Sequence, residues 1–292
     1  MERISTPSKT KEIIEKNNFY FKKNFGQNFL IDSNIIDKIV ESAKISKDDF
    51  VLEIGPGIGS LTQILAQKSK KVLAVEIDKN LISILKQTLF EYQNIEIIND
   101  DILKIDIEKI IKEKNENLPI KVVANLPYYI TTPIIMNLLE KKLNIKSITI
   151  MVQKEVAQRL QAKSGTKDYG AISIAVQYYS DANINMFIPS SCFMPRPKVD
   201  SAVITLDILK KPRIKVKDEK LFFEVVKCAF GQRRKTFLNS LINIGKFGIS
   251  KESYIEIFKK FNIDEKIRGE MLTIEQMGFI SDCIYDIFKD GI

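Results

Sequence analysis

The chain has no histidine, only three cysteines and no apolar run long enough to cross a bilayer, and each deficit removes a class of function. Without imidazole there is no Ser-His-Asp or Cys-His catalysis and no histidine-ligated metal. Cys192, Cys228 and Cys283 lie far apart and form no CxxC pair, which excludes a disulfide framework and a cysteine zinc cluster. A spanning helix needs roughly 20 apolar residues, and the opening stretch MERISTPSKTKEIIEKNN carries no apolar core of a secretory signal. A cytoplasmic protein with no membrane partner and no metal is expected. Its chemistry has to run without imidazole.

What is present is a chain of 292 residues, 45% hydrophobic and 28% charged, enough for a sizeable core and for two domains. The net charge of +8 is unevenly spread. From 208 to 240 ten basic residues (Lys210, Lys211, Arg213, Lys215, Lys217, Lys220, Lys227, Arg233, Arg234 and Lys235) face three acids, Asp218, Glu219 and Glu224. This segment reads equally as a solvated linker and helix face or as a footprint for a polyanion.

Short β-rich runs alternate with helical periods from residue 50 to about 206. The strand candidates are Phe50–Ile54, Lys71–Val75, Ile95–Ile98, Lys121–Ala124, Ser147–Val152 and Ser201–Leu206. Amphipathic stretches such as 61–67, 81–89 and 134–139 lie between them, the pattern of a mostly parallel sheet covered on both faces. Ser33 is placed to cap a helix carrying Ile35, Ile36, Ile39 and Val40. After Lys210-Lys211-Pro212 the pattern turns helical, with Thr273 and Gln276 forming a capping box before the last helix. The expected division is a domain over 1–208, with an N-terminal extension over 1–24, followed by a smaller all-helical domain over 209–292.

The first strand of the alternating region runs into Gly55-Pro56-Gly57-Ile58-Gly59-Ser60. Glycines there let the backbone approach a ligand at the carboxyl edge of the sheet. A dinucleotide loop needs glycine at its sixth place, which here is Ser60, and Glu53 before the loop suits a ligand carrying positive charge. The second strand ends at Glu76, placed to accept hydrogen bonds from ribose hydroxyls, while Asp78 fits a helix cap better. The third ends in Asn99-Asp100-Asp101, which reads as a ligand contact or a helix-start turn. A ribose acid without the phosphate pattern points to an adenosine cofactor lacking pyrophosphate, and S-adenosylmethionine fits.

The fourth strand ends in Asn125-Leu126-Pro127-Tyr128-Tyr129. Adenine N6 is a poor nucleophile because its lone pair is delocalised into the ring. The Asn125 carboxamide oxygen and the backbone carbonyl of Leu126 can accept its two hydrogens and align the lone pair with a sulfonium methyl carbon. Pro127 stiffens that carbonyl and Tyr128 offers a face on which to stack the base. No prior deprotonation is required, since the amine proton becomes acidic after methylation.

With Lys22-Lys23-Asn24-Phe25-Gly26-Gln27-Asn28-Phe29-Leu30, the GPGIGSLT loop, AVEID, NLPYYITTPI, MVQKEVAQRL, GTKDYGA, FMPRPKVDSAVI and GQRRKTFLNSL in that order, the chain closely resembles the bacterial 16S rRNA adenine N6,N6-dimethyltransferases from about residue 20 onward. The resemblance implies a Rossmann-like class I α/β methyltransferase sheet that binds S-adenosylmethionine, with a helical RNA-binding domain. It implies cofactor contacts at Asn28, Leu30, Gly55, Glu76, Asp101 and Asn125, and favours Asp101 over Asp100. It makes Phe193 a second face for the flipped base, although Phe193 reads equally as core. With RNA as the substrate, the basic charge of the 208–240 segment puts Arg233, Arg234 and Lys235 forward as RNA contacts. The implied partner is 16S rRNA within the small ribosomal subunit, acted on by a monomer that also serves subunit biogenesis. Leu238 stands where many relatives carry Arg or Lys, weakening the basic face of its helix.

Four readings compete with this one. DNA adenine methylation is disfavoured because those enzymes more often carry Asp or Asn followed by Pro-Pro-Tyr. A large-subunit adenine methyltransferase of the macrolide-resistance type is the nearest, disfavoured by GTKDYGA and QRRKT. An oxidoreductase is disfavoured by the missing glycine and by NLPY, and a non-catalytic assembly factor by the intact site residues.

Overall fold

Phe50–Ile54, five residues buried without exception, can satisfy its backbone and side chains only at the centre of a sheet covered on both faces. The computed structural model, which describes residues 2–22, 25–115, 118–141, 143–232, 234–245 and 247–290, places it there. The strands are β1 (Phe29–Leu30), β2 (Phe50–Ile54), β3 (Lys71–Glu76), β4 (Ile95–Asn99), β5 (Ile120–Asn125), β6 (Ile145–Gln153), β7 (Ser180–Ile188), β8 (Phe193–Met194) and β9 (Ser201–Ile208). Seven form one sheet in the order β4-β3-β2-β5-β6-β9-β7. Neighbours from β4 to β6 run parallel, and β9 is antiparallel to β6. The chain leaves β2 toward β3 and β4, then returns to place β5 on the other side. The resulting switch point, between the carboxyl ends of β2 and β5, is where open α/β sheets bind ligands.

All six strands expected from sequence form; β7 is an addition to their sheet, and β1 and β8 pair with each other in a separate two-stranded sheet. The alternating β7 sequence SDANINMFI buries one side only, as an edge strand allows, and lacks the continuous apolar run that marks the central strands. A helix over Pro7–Lys16, begun by the Thr6 cap, lies within the expected N-terminal extension. The helix Ser33–Ser42 is capped by Asp32, not Ser33: the Asp32 carboxylate accepts from Asn34 N and Ile35 N, while the Ser33 hydroxyl pairs with Ser5. Elsewhere the caps follow the sequence, with Asp78 opening Lys79–Thr88 and the Thr273–Gln276 box opening Ile274–Asp290.

The chain divides into two compact units, Met1–Ala157 with Ala182–Ile208, and Gln158–Asp181 with Leu209–Ile292. The expected boundary at 208 therefore misses an excursion. Residues 158–181 belong with the helical unit because Tyr169, Ile174 and Tyr178 share a core with Phe222, Val225, Phe237 and Phe258. Leu238 is buried in that core, 4% exposed, so it takes nothing from a basic face. Among the described residues no helix is long and apolar enough to cross a membrane.

Candidate active site

Three glycines shape the loop after β2. Gly55, Gly57 and Gly59 have φ of 71°, 61° and 94°, the left-handed region that side chains disfavour. A Cβ on Gly57 would stand 3.1 Å from the Phe29 ring, and one on Gly59 would stand 3.1 Å from Leu89. Gly55 is different: its nearest neighbour would be the Asn125 carbonyl at 3.7 Å, so its backbone faces open space. That space is a cavity at the switch point. Asn28, Leu30, Gly55, Glu76, Asp101, Asn125, Leu126, Pro127 and Tyr128 all line it.

The acids along its edge are held differently. Glu76, at the end of β3 and 4% exposed, accepts Gly57 N–H at 3.2 Å and Asp78 N–H at 2.8 Å. Burial nevertheless pushes its pKa up to about 7. Glu53, 1% exposed, is pushed up to about 8 by burial, with the Glu76 charge adding to the effect. Its Oε2 has no hydrogen-bond partner among the described residues. Such a buried acceptor is costly unless something arrives to satisfy it. Asp101 accepts Leu103 N–H at 3.0 Å and keeps its side chain 22% exposed. Asp100 also lines the cavity. A cationic adenosine ligand fits this edge: a buried acid with one unpartnered oxygen, a second acid at the strand end and an open glycine backbone.

On the opposite wall, the Asn125 Nδ2 donates to the Asn28 carbonyl at 3.1 Å, joining residues 97 positions apart. Leu126 N–H donates to the Met151 carbonyl, and the Pro127 carbonyl accepts from Ile130 N–H and the Thr131 hydroxyl, closing the turn into the helix Thr131–Glu140. The Tyr128 hydroxyl shares a 2.8 Å hydrogen bond with that of Ser201, and burial raises its pKa. Ser201 and the cavity-lining Phe25 and Tyr129 escaped the sequence reading, although all three lie inside motifs that it quoted.

Phe193 takes the second of its two readings, as core. It is 4% exposed, pairs across β1–β8 with the cavity residue Leu30, and packs among Ile36, Ile39, Met151 and Val203. The strand pairing that positions Leu30 turns Phe193 into the core.

In the helical unit, Arg234 and Lys235 are exposed on the turn between the helices Glu219–Gly231 and Phe237–Ile244. Arg233 lies outside the described residues. Two other bases of the 208–240 segment are occupied within the unit, Arg213 by Asp181 and Lys217 by Asp286.

The model of the family described as ribosomal RNA adenine dimethylase matches residues 18–278. A ribosomal RNA small subunit methyltransferase A from Alkaliphilus oremlandii (strain OhILAs) is 57% identical over 97% of this chain and 98% of its own length. One of the same name from Clostridioides difficile (strain 630) is 53% identical over 97% and 98%. Among solved structures, a dimethyladenosine transferase from Plasmodium falciparum superposes with a TM-score of 0.74 at 26% identity, covering 90% of this chain and 98% of the other. The 23S rRNA methyltransferase ErmE superposes with a TM-score of 0.66 at 25% identity, covering 88% and 99%. Identity above one half along nearly the whole length, on a sheet whose switch point gathers the residues expected at a cofactor and the NLPY segment around one cavity, leaves one assignment: this chain belongs to the ribosomal RNA adenine dimethylase family.

Proposed function

We propose that this chain transfers methyl groups from S-adenosylmethionine to N6 of two adjacent adenosines near the 3′ end of 16S rRNA in the small ribosomal subunit. The product is N6,N6-dimethyladenosine. The protein acts as a monomer without metal and also serves subunit biogenesis.

The observation that carries this reading is the meeting of Asn125–Tyr128 with Gly55, Glu76 and Asp101 around one cavity. S-adenosylmethionine supplies an electrophilic methyl on a sulfonium. Glu76 is placed to take the ribose hydroxyls, Asp101 the adenine side, and the unsatisfied Glu53 oxygen positive charge. With its NH2 engaged by Asn28, Asn125 has its carboxamide oxygen left to accept a hydrogen of the target amine, and the Leu126 carbonyl accepts the other. In the first transfer, holding both hydrogens turns the nitrogen lone pair toward the donor, an orientation effect in which a displacement of about 1 Å costs on the order of 100-fold in rate. The N–CH3 bond forms as the S–CH3 bond breaks, S-adenosylhomocysteine leaves, and the proton of the resulting cation passes to solvent. In the second transfer one acceptor holds the single remaining N–H. Tyr128, its hydroxyl fixed by Ser201, presents a ring to a base extruded from its stack. Stacking of this kind is worth about 1–3 kcal/mol per base.

The test is methyl transfer from radiolabelled S-adenosylmethionine to purified small subunits lacking the modification, with mass spectrometry of the RNA and with large-subunit RNA as competing substrate. Dimethylation of two adjacent adenosines in 16S rRNA is expected, undiminished when the enzyme is treated with EDTA and desalted before it meets the subunits. Label in the large-subunit RNA alone would move the assignment to the macrolide-resistance type, and loss of activity after that treatment of the enzyme would overturn the metal-free mechanism.

A further inference from the structure

Phe25, Gly26 and Gln27 line one wall of the cavity, and Gln27 and the preceding Lys22 both meet one carboxylate outside it. Asp78, whose side chain is 1% exposed, accepts from Lys22 Nζ at 2.8 Å and Asn80 N–H at 3.1 Å on Oδ1, and from Gln27 Nε2 at 2.8 Å on Oδ2. The Gln27 Oε1 in turn accepts Lys22 N–H at 2.9 Å. Lys22 and Gln27 are therefore joined to each other and to the same group. Capping the helix Lys79–Thr88 needs only the bond to Asn80, which a neutral Asn or Ser supplies equally well. Keeping a buried charge instead requires partners, and Lys22 and Gln27 provide them. Against the upward push of burial, the hydrogen bonds from Lys22 and Gln27 hold the Asp78 carboxyl below the usual carboxylate range. Asp78 N–H also donates to Glu76 Oε1 at 2.8 Å, so this anchor is one bond from the acid assigned to the ribose.

We propose that Asp78 is a positioning residue that, through Lys22 and Gln27, clasps the wall formed by Phe25, Gly26 and Gln27 against the cofactor cavity, and so sets how long S-adenosylmethionine stays bound. The proposal rests on reading the cavity as the S-adenosylmethionine site. The clasp touches no reacting atom, so it acts on cofactor residence and not on methyl transfer. Lys22 is the handle for testing it, because its side chain is 42% exposed and it is not needed for the helix cap.

In the full chain, release of radiolabelled S-adenosylmethionine, the KM–kcat split on small subunits and the melting temperature without cofactor are measured for Lys22→Met, Lys22→Arg and Asp78→Asn. Loss of a charge-assisted hydrogen bond to a buried partner predicts release about tenfold faster in Lys22→Met, with KM for the cofactor rising by a similar factor. The kcat at saturating cofactor is expected to change less than about twofold, while the melting temperature without cofactor falls by several degrees in Lys22→Met, because the buried Asp78 loses its cationic partner. Lys22→Arg restores slow release. Asp78→Asn, which keeps the cap, releases as fast as Lys22→Met, and the double variant is no faster than either, as partners in one interaction require. Wild-type release in Lys22→Met, or additive effects in the double variant, overturns the clasp; should Asp78→Asn fail to fold, the two Lys22 variants decide. If the wild-type chain does not bind S-adenosylmethionine at all, the reading of the cavity falls, and the clasp with it.

Discussion

In the sheet unit Glu53, Glu76 and Asp78 are no more than 4% exposed, each with its ionisation set by the few atoms around it. In the helical unit every described base of the 208–240 segment is exposed to solvent. A buried carboxylate depends on particular partners, because desolvation is costly and only aligned donors offset it. An exposed lysine or arginine is hydrated whatever its neighbours, and its contribution to holding a polyanion is screened by salt and roughly interchangeable with that of the next. Selectivity for a small cationic ligand therefore belongs to the first kind of site, and grip on RNA to the second.

The sharpest blow to the sheet unit is expected from Phe193→Ala. Since the ring is core, the loss should appear as about 3–5 kcal/mol of stability by denaturant unfolding. An unchanged midpoint with a specific fall in turnover would return Phe193 to the stacking role. Next comes Glu76→Ala, which removes a charge-assisted acceptor worth about 1.5–3 kcal/mol and so should weaken S-adenosylmethionine binding about 10- to 100-fold by calorimetry. An unchanged affinity would remove Glu76 from the site.

The raised pKa values of Glu53 and Glu76 add a pH dependence. Between the ordinary carboxylate range and about 8 the folded chain holds protons that the unfolded chain has released, so stability without ligand falls as pH rises through that window. A cationic cofactor favours the ionised acids. Its affinity should accordingly rise between pH 6 and 8, by at most about tenfold per pH unit for each proton expelled. Calorimetry at pH 7 in buffers of different ionisation enthalpy should register proton release, and Glu53→Gln should reduce it; no release in the wild type would mean that both acids are already charged.

The smallest single effects belong to the helical unit. Arg234→Ala and Lys235→Ala should each lower the salt slope of RNA binding by about 0.7–0.9 per lost phosphate contact and leave cofactor affinity alone. Arg213→Ala and Lys217→Ala should alter it less, since Asp181 and Asp286 already hold those bases. Equal slopes for all four variants would erase the distinction between free and occupied bases.

Much of this was legible in the chain. Local periodicity and hydrogen-bonding chemistry are carried by neighbouring residues, so the central strands, the glycine loop, the Asp78 cap and the Thr273–Gln276 box follow from short stretches. The edge strand β7 and the helical allegiance of 158–181 do not, because each depends on which surface the segment meets and not on its own pattern.

The division is clearest within the site. Which residue types stand at the carboxyl ends of β2, β3 and β5 is written in the order of the chain, and with it that acids, an amide and an aromatic share one edge, since strand ends in a parallel sheet are brought together by the register of neighbouring ladders. That Asn28 meets Asn125, that Ser201 fixes Tyr128, that Asp78 binds Lys22 and Gln27 as well as its own helix, and that Phe193 turns inward come from packing alone. Those pairings join residues tens to nearly a hundred positions apart, and they arise where separately encoded surfaces pack, a meeting that no local pattern of side chains records.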